Sequence, residues 1–396
     1  MDNKMKVYLD YAATTPVLPE VVEAMKPFWS EKFGNPSSLH LWGREARIAV
    51  EQSREKIAQI LNCEPEEIIF TGTTTTSDNL AILGIAYSLS TTDYGKYHLI
   101  TTQIEHYGVL DAFKHLEKQG FEVTYLSSDK YGIVNLKELE ESVKPETVLV
   151  SVMYANNEVG TVQSISEIAE ILRQKAISYK PKAVLHTDAA ATAEYLNLDV
   201  KKLGVDLMTL GAHKFGGPKG VGVLYVKKDT KISPITFGGH HENGLWPGTE
   251  PAPLIVGTAK ALEIAISNKQ LAIREVTKLR DKLIKGILEK IPDCYLTGHP
   301  TERLPDIAGF VFKGVEGEAV LLRLDAEGIA ASSGSACTSG DLKPSHVLMA
   351  MGIPQEEAHG SIRFSLGRST TEEEIDYVLE VLPRMIGDLR RMTPKI

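Results

Sequence analysis

The sequence predicts an α/β protein: a mostly parallel seven-stranded sheet covered on both faces by helices, with a smaller α+β domain beside it. Three observations predict this. Short β-branched runs alternate with helical patterns from residue 45 to about 260. The runs are short and apolar, and read as buried strands. After about residue 262 the texture changes to long charged helices with a few strands between them.

The strands come in the order "EEIIFT" (66–71), "YHLITT" (97–102), "FEVTYL" (121–126), "TVLVSVM" (147–153), "AVLHTD" (183–188), "DLMTL" (206–210) and "GVGVLYV" (220–226). Amphipathic helices lie between most of them. "TSDNLAILGIAYSLS" (76–90) and "SISEIAEILRQKAISY" (164–179) each open on a Ser, Thr or Asp N-cap candidate. Strand–helix alternation implies parallel pairing with helices on both faces. The last two strands are joined by only about ten residues rich in Gly, so one edge pair is expected to be antiparallel. Beyond residue 262 come a charged helix (268–291), a strand (307–314), a helix (317–328), a strand (361–367) and a closing helix (371–392). The expected division is a large domain over 15–262 and a small one made of 1–14 and 263–396, which carries a Ser/Gly segment at about 330–345.

Composition narrows the function classes. The chain has 396 residues, 43% hydrophobic and 24% charged, which is enough for a sizeable core and two domains. A net charge of −9 gives no global basic footprint for nucleic acid, so no direct nucleic-acid binding is expected. No apolar run has the length that spans a bilayer, and "MDNKMKVYLD" is not of signal-peptide type. The three cysteines, Cys63, Cys294 and Cys337, form neither a disulfide framework nor a CxxC zinc pair, so no metal site is expected. A reduced, soluble, cytoplasmic protein is the expectation.

In open α/β sheets ligands bind at the carboxyl ends of the strands, and chemistry-bearing residues follow the strands here. "TGTTTTSDN" (71–79) is either a phosphate cradle at a helix start or an ordinary Thr-capped helix. His106 in "QIEHYGVLDA" can stack on a flat ring or be a hydrogen-bonded surface histidine. Asp188 ends a buried strand, where a carboxylate is costly unless something positive meets it; a protonated pyridine nitrogen or an N-cap role would serve. In "AHKFGGPKG" (212–220) Lys214 follows a strand end, where a desolvated lysine forms a Schiff base; Lys219, in the turn itself, is the competitor. Phosphate loop, stacking histidine, carboxylate and lysine, in that order on successive strand ends, are the parts pyridoxal 5'-phosphate (PLP) needs. Separately, "ASSGSACTSG" (331–340) displays Cys337 among small polar residues, where a thiol has access and reach.

The chain resembles the cysteine desulfurases of the NifS/IscS type, PLP enzymes of the class-V aminotransferase-like group (fold type I). The likeness runs through "VYLDYAATTPV" (7–17), "FGNPSSLHLWGREAR" (33–47), "MYANNEVGTVQ" (153–163), "AHKFGGPKGVG", "SSGSACTSG" and "SIRFSLGRSTTEEEID" (361–376), essentially the whole chain. The long stretch between Cys337 and residue 361 matches the group I form, with an extended cysteine loop. The resemblance implies that Lys214 is the Schiff-base lysine, His106 the ring-stacking residue and Asp188 the partner of the pyridine nitrogen. It makes Thr75, with Thr74 beside it, and His213 phosphate ligands. It puts Thr249 on the phosphate of the neighbouring subunit's site, hence a homodimer. Arg363 matches the binder of the substrate carboxylate, Asn157 and Asn35 fall in motifs near the substrate, and Cys337 matches the nucleophile that takes up sulfur.

The implied activity converts L-cysteine to L-alanine and passes persulfide sulfur to an acceptor or scaffold protein, for iron–sulfur cluster assembly or tRNA thiolation. Two alternatives are a related PLP lyase for cysteine, cystine or selenocysteine that does not depend on Cys337, and a non-catalytic scaffold keeping the fold. Departures from the family pattern fall on the cofactor pocket. Thr73, Thr74 and Thr76 replace Gly, Ala and Glu; Gly211 and Ala191 replace a serine and a glutamine. His241, Asn243, Trp246 and Pro251 replace a glutamine, two arginines and an asparagine. The expectation is a crowded phosphate loop and several fewer hydrogen bonds to the cofactor, each worth roughly 0.5–1.5 kcal/mol.

Overall fold

The computed structural model describes residues 4–89, 94–179, 183–334 and 344–392. β1 (Val7–Tyr8) opens the chain. β2 (Ile68–Thr71), β3 (His98–Thr102), β4 (Glu122–Leu126), β5 (Thr147–Ser151), β6 (Val184–Asp188), β7 (Leu207–Gly211) and β8 (Gly222–Val226) form one sheet in the order β2-β8-β7-β6-β5-β3-β4. Every residue of β2, β3, β7 and β8 is buried, which is why these runs carry no polar alternation. Successive side chains go to opposite faces. Ile69, Leu99, Leu149, Leu207 and Leu224 pack under the helices Thr74–Tyr87 and Tyr107–Lys118, while Ile68, Phe70, Ile100, Val150, Leu185 and Met208 face the helices Leu41–Leu61, Ile165–Ser178 and Ala252–Ser267. Burying each such side chain contributes about 1.5–3 kcal/mol.

The antiparallel strand lies one position in from the edge. β8 runs antiparallel to β7 on one side and to β2 on the other. The ten-residue Gly-rich connection is too short for a parallel crossover, as expected. The edge is taken by β2 from the other end of the sheet's sequence, and this long-range pairing is invisible in a local pattern. One consequence is that β2, β3, β5, β6 and β7 all point their carboxyl ends to the same side.

β9 (Cys294–Leu296), β10 (Ile307–Phe312), β11 (Ile329–Ala330) and β12 (Ser361–Ser365) follow. β12-β10-β9 is an antiparallel sheet, and β11 pairs in parallel with β1. Phe310, Phe312 and Phe364 pack with Val7, Leu9, Leu283, Leu324, Val378 and Leu382 in a second core. The first residues of the chain therefore sit in the core of its last third, and the segment after them crosses to the large sheet. No helix among the described residues is long and apolar enough to cross a membrane.

Candidate active site

A cavity of about 330 Å³ opens at the carboxyl ends of β5, β6 and β7. Lys214, His106, Asp188, Thr74, Thr75, His213, Asn157 and Arg363 all line it. Lys219 does not, and is exposed on its turn. Asn35 does not either: its side chain accepts the Ser37 N–H within its own loop, 2.9 Å away. Thr249 is exposed and lines a separate pocket behind Gly72 with Trp246 and Pro251. A wider cleft of about 630 Å³ lies between residues 36–66 and 240–250, where the Arg54–Glu242 ion pair (2.8 Å) is buried; none of the expected site residues lines it.

The lysine turn is stitched to the N-terminal segment. Lys214 Nζ donates to the carbonyls of Ala12 (2.5 Å) and Ala13 (2.9 Å). Thr15 donates N–H and hydroxyl to the His213 carbonyl, and its Oγ1 accepts the Gly216 N–H. Gly216 needs its φ of 81°, a left-handed turn costly for any side chain.

Asp188 is the last residue of β6, and its Oδ1 accepts the Ala190 N–H at 2.9 Å. Burial pushes its carboxyl up; His106 and Lys214 pull it back. His106 is the N-cap of the helix Tyr107–Lys118, and its Nδ1 accepts the Gly108 N–H at 3.0 Å. That bond puts the proton of the neutral ring on Nε2. Burial, opposed by Asp188 and helped by Lys214, lowers its pKa.

Behind these groups lies a polar layer that sequence reasoning missed. Asp78, on the helix Thr74–Tyr87, is fully buried, and among the described residues neither oxygen has a well-formed hydrogen bond. His186 Nε2 is 3.7 Å away and the Thr209 hydroxyl is its other polar neighbour. His186 itself contacts the hydroxyls of Ser151 (2.8 Å) and Thr209 (3.2 Å), and burial takes its pKa down to about 3. Burial foremost, and the nearby Asp188, drive the Asp78 carboxyl well up. Glu105, also buried and pushed up to about 8 by burial, accepts Met153 N–H and the Thr102 hydroxyl.

At the other end of the cavity the four-threonine loop is ordered by its own side chains. Thr73 caps the helix, its Oγ1 accepting Thr76 N–H at 3.1 Å, while Thr76 Oγ1 accepts Thr73 N–H at 2.8 Å. This capping box turns two of the added side chains away from the cavity, so the expected crowding does not come from Thr73 and Thr76. The N–H groups of Thr74 and Thr75, in the first turn, have no carbonyl to meet within the helix. His213 Nδ1 lies 3.2 Å from Thr14 Oγ1, and burial, with Lys214 and Lys219 adding to it, lowers its pKa to about 4.

The third wall comes from the second core. Arg363, on β12, directs one nitrogen to Asp10 Oδ1 (2.9 Å) and another to the Asn157 carbonyl (2.9 Å). Its Nε has no hydrogen-bond partner among the described residues. Asn156 holds the turn, accepting N–H from Glu158 (2.8 Å) and Val159 (3.0 Å). Glu158, buried and pushed up to about 7 by burial, accepts the Ser345 hydroxyl at 2.5 Å. Ser333 and Gly334 complete the lining. Cys337 lies outside the described residues. Cys63 and Cys294 are free thiols elsewhere, and burial raises both, Cys63 to about 12.

These groups fit PLP. A buried carboxylate would meet the ring nitrogen, a lysine the carbonyl carbon, and first-turn N–H groups the phosphate, together with the shielded Thr74 hydroxyl, which has no partner among the described residues.

Comparison with known proteins agrees. The family model described as "Aminotransferase class-V" matches residues 7–378. A relative from Dictyoglomus turgidum named "Cysteine desulfurase IscS" is 50% identical over 391 residues, covering 99% of this chain and 97% of the relative. One of the same name from Methanosarcina thermophila is 50% identical, with 99% and 95% covered. A solved structure titled "NIFS-LIKE PROTEIN" superposes with a TM-score of 0.90 at 38% identity, covering 97% of this chain and all of that one. Another, "SspA in complex with cysteine", has a TM-score of 0.79 at 36% identity, over 93% of this chain and all of its own.

Proposed function

This chain belongs to the class-V aminotransferase family, and from that premise we propose that it is a PLP-dependent cysteine desulfurase, releasing L-alanine from L-cysteine and taking the sulfur onto Cys337. The observation that carries this reading is the meeting of Lys214, Asp188 and Arg363 in one cavity whose wall runs to Gly334. Cys337 follows Gly334 by three residues, a tether of at most about 11 Å.

When bound, PLP supplies the electron sink that weakens bonds at the substrate's α carbon. Lys214 would hold it by a Schiff base, and its amine would take the substrate's α proton. Asp188 would keep positive charge on the ring nitrogen, and His106, with Nε2–H as its proton-bearing atom, would lie against the ring. The Arg363 fork receives the substrate carboxylate, with Asp10 and the Asn157 carbonyl fixing its plane. The Cys337 thiolate attacks the substrate sulfur; the carbon–sulfur bond breaks, a sulfur–sulfur bond forms, and the carbon returns as alanine after protonation. Cys63 and Cys294, with raised thiol pKa values away from the cavity, suit no such attack.

The assembly in this reading is a homodimer. Trp29, Phe33, Leu39, Leu41, Trp42 and Ile48 are more than half exposed on one short stretch of chain, an apolar surface suited to burial against a second copy. Thr249, turned away from its own chain's cavity, would complete the partner's phosphate site. The setting is cytoplasmic, and the persulfide passes to an acceptor protein for iron–sulfur cluster assembly or tRNA thiolation. The test is incubation of the PLP-loaded protein with L-cysteine, assaying alanine, sulfide and persulfide on Cys337. Equal alanine and persulfide in a single turnover, both lost in Cys337→Ala, is expected. Full sulfur release by Cys337→Ala would select the Cys337-independent lyase instead.

A further inference from the structure

Two strands give up their side chains at one level of the sheet. Gly211 of β7 pairs in register with Gly222 of β8. A Cβ on Gly222 would come 2.4 Å from the Thr73 carbonyl oxygen and 2.7 Å from Ser77 Oγ. One on Gly211 would come 2.2 Å from Thr74 Oγ1. The first turn of the helix Thr74–Tyr87 therefore rests directly on bare backbone, with the Thr74 side chain seated on Gly211.

That seat leaves one hydroxyl stranded. Thr71 Oγ1 and Ser77 Oγ bond each other at 2.6 Å, and Thr73 and Thr76 share the capping box. Thr74 Oγ1 is shielded from solvent and has no partner among the described residues. A shielded hydroxyl without a partner is costly unless something answers it in another state. Thr74 also lines the cavity, next to Thr75 and His213. Rotation about χ1 exchanges its methyl and hydroxyl and hands the hydroxyl to the cavity; threonine in helices populates two rotamers readily. The neighbouring first-turn N–H groups are all donors, so the ligand they and a turned hydroxyl suit is an anion rich in acceptor oxygens.

We propose that Thr74, seated on Gly211, is a direct phosphate ligand whose hydroxyl is held unsatisfied in the cofactor-free protein and turns to the phosphate on binding. This rests on the PLP reading, and names how this chain recovers the strand-end hydroxyl it lacks at Gly211. The stranded hydroxyl destabilises the free protein and is redeemed by the ligand, so stability and affinity move in opposite directions when it is removed.

Thr74→Val keeps the shape and deletes the hydroxyl. The cofactor-free variant is expected to unfold at the same temperature as the parent or higher, while its PLP affinity falls about tenfold, the effect of one hydrogen bond to a charged group. Thr74→Ser, which keeps the hydroxyl, stays within about threefold of the parent. Gly211→Ala, whose Cβ displaces the hydroxyl, lowers both affinity and stability; adding Thr74→Ala restores its stability and not its affinity. PLP affinity is read from the lysine imine absorbance, and inorganic phosphate is used separately as a probe, by its stabilisation of cofactor-free protein against heat. Unchanged affinity in Thr74→Val, or a less stable cofactor-free Thr74→Val, overturns the proposal. If the parent shows no imine band yet its phosphate stabilisation is lost in Thr74→Val, the PLP reading fails and the phosphate ligand stands.

Discussion

The two ends of the cavity are built by opposite means. At the end read as the ring end, Asp188, His106 and Lys214 meet beyond the strand ends in a buried layer, where Asp188 and His106 are each shaped by the other and by Lys214. At the phosphate end, one helical turn offers backbone N–H groups and hydroxyls that stand in for one another. A buried charge has no substitute nearby, because the cost of leaving its counterpart unpaired is several kcal/mol. A hydroxyl has many substitutes, each worth about 1 kcal/mol. Four of the family departures, Thr73, Thr74, Thr76 and Gly211, lie at the phosphate end, where exchange costs least; Ala191, close to Asp188 in the cavity lining, departs at the other end.

The largest effect tests whether the ring end is irreplaceable. Lys214→Ala removes the proposed covalent anchor and base together, and alanine formation is expected to fall at least about 10³-fold. The imine absorbance should vanish while the protein remains folded by circular dichroism. A variant keeping a tenth of the parent rate would dissolve the contrast, since Lys219 or another amine would then be doing the same task.

A smaller change at the same end sharpens it. Asp188→Asn keeps size and hydrogen bonding and deletes the charge. The loss of one charge-assisted contact predicts roughly a 10–100-fold fall in the rate. Substrate KM should move little, because in the proposed reading the substrate carboxylate rests on Arg363, on the other wall. A KM that rises in step with the fall in rate would show that Asp188 acts on binding, and the two walls would not be independent.

How far the sequence reads this architecture follows the same division. The strands were legible because they are short, apolar and buried on both faces, and the ring-end residues because each follows a strand in chain order. The seat of Thr74 was not, because it depends on the register of β7 with β8 and on a helix start more than a hundred residues earlier. The capping box escaped for a chemical reason: its closing residue is Thr76, not the Glu or Gln that usually signals one. Asp10 was hidden by distance, lying 353 residues from the Arg363 it orients. Asp78 falls in a helix expected to be amphipathic, where an aspartate reads as a solvent-facing residue; that helix is instead buried on most of its sides, and Asp78 is buried with it.

Asp78 gives the finest test, read in stability and not in rate. It is a buried carboxyl behind the cavity without a full set of partners among the described residues, so it should behave like the stranded hydroxyl and not like Asp188. His186 beside it is held neutral by burial and cannot compensate it; Glu105 and Asp188, on the neighbouring elements, only add to its difficulty. An acid whose pKa is higher folded than unfolded keeps its proton longer in the native state, so stability falls as pH rises between the two values. Asp78→Asn abolishes that dependence. Its advantage over the parent should be absent below the unfolded carboxyl range, near pH 4, and grow towards neutral pH to about 1–3 kcal/mol. Urea unfolding of both proteins across that range measures it directly, as a midpoint difference at constant m. A variant less stable than the parent at neutral pH would mean that the Asp78 carboxylate is held by His186 and Thr209 as firmly as Asp188 is by its neighbours, and that the ring end contains no idle charge at all.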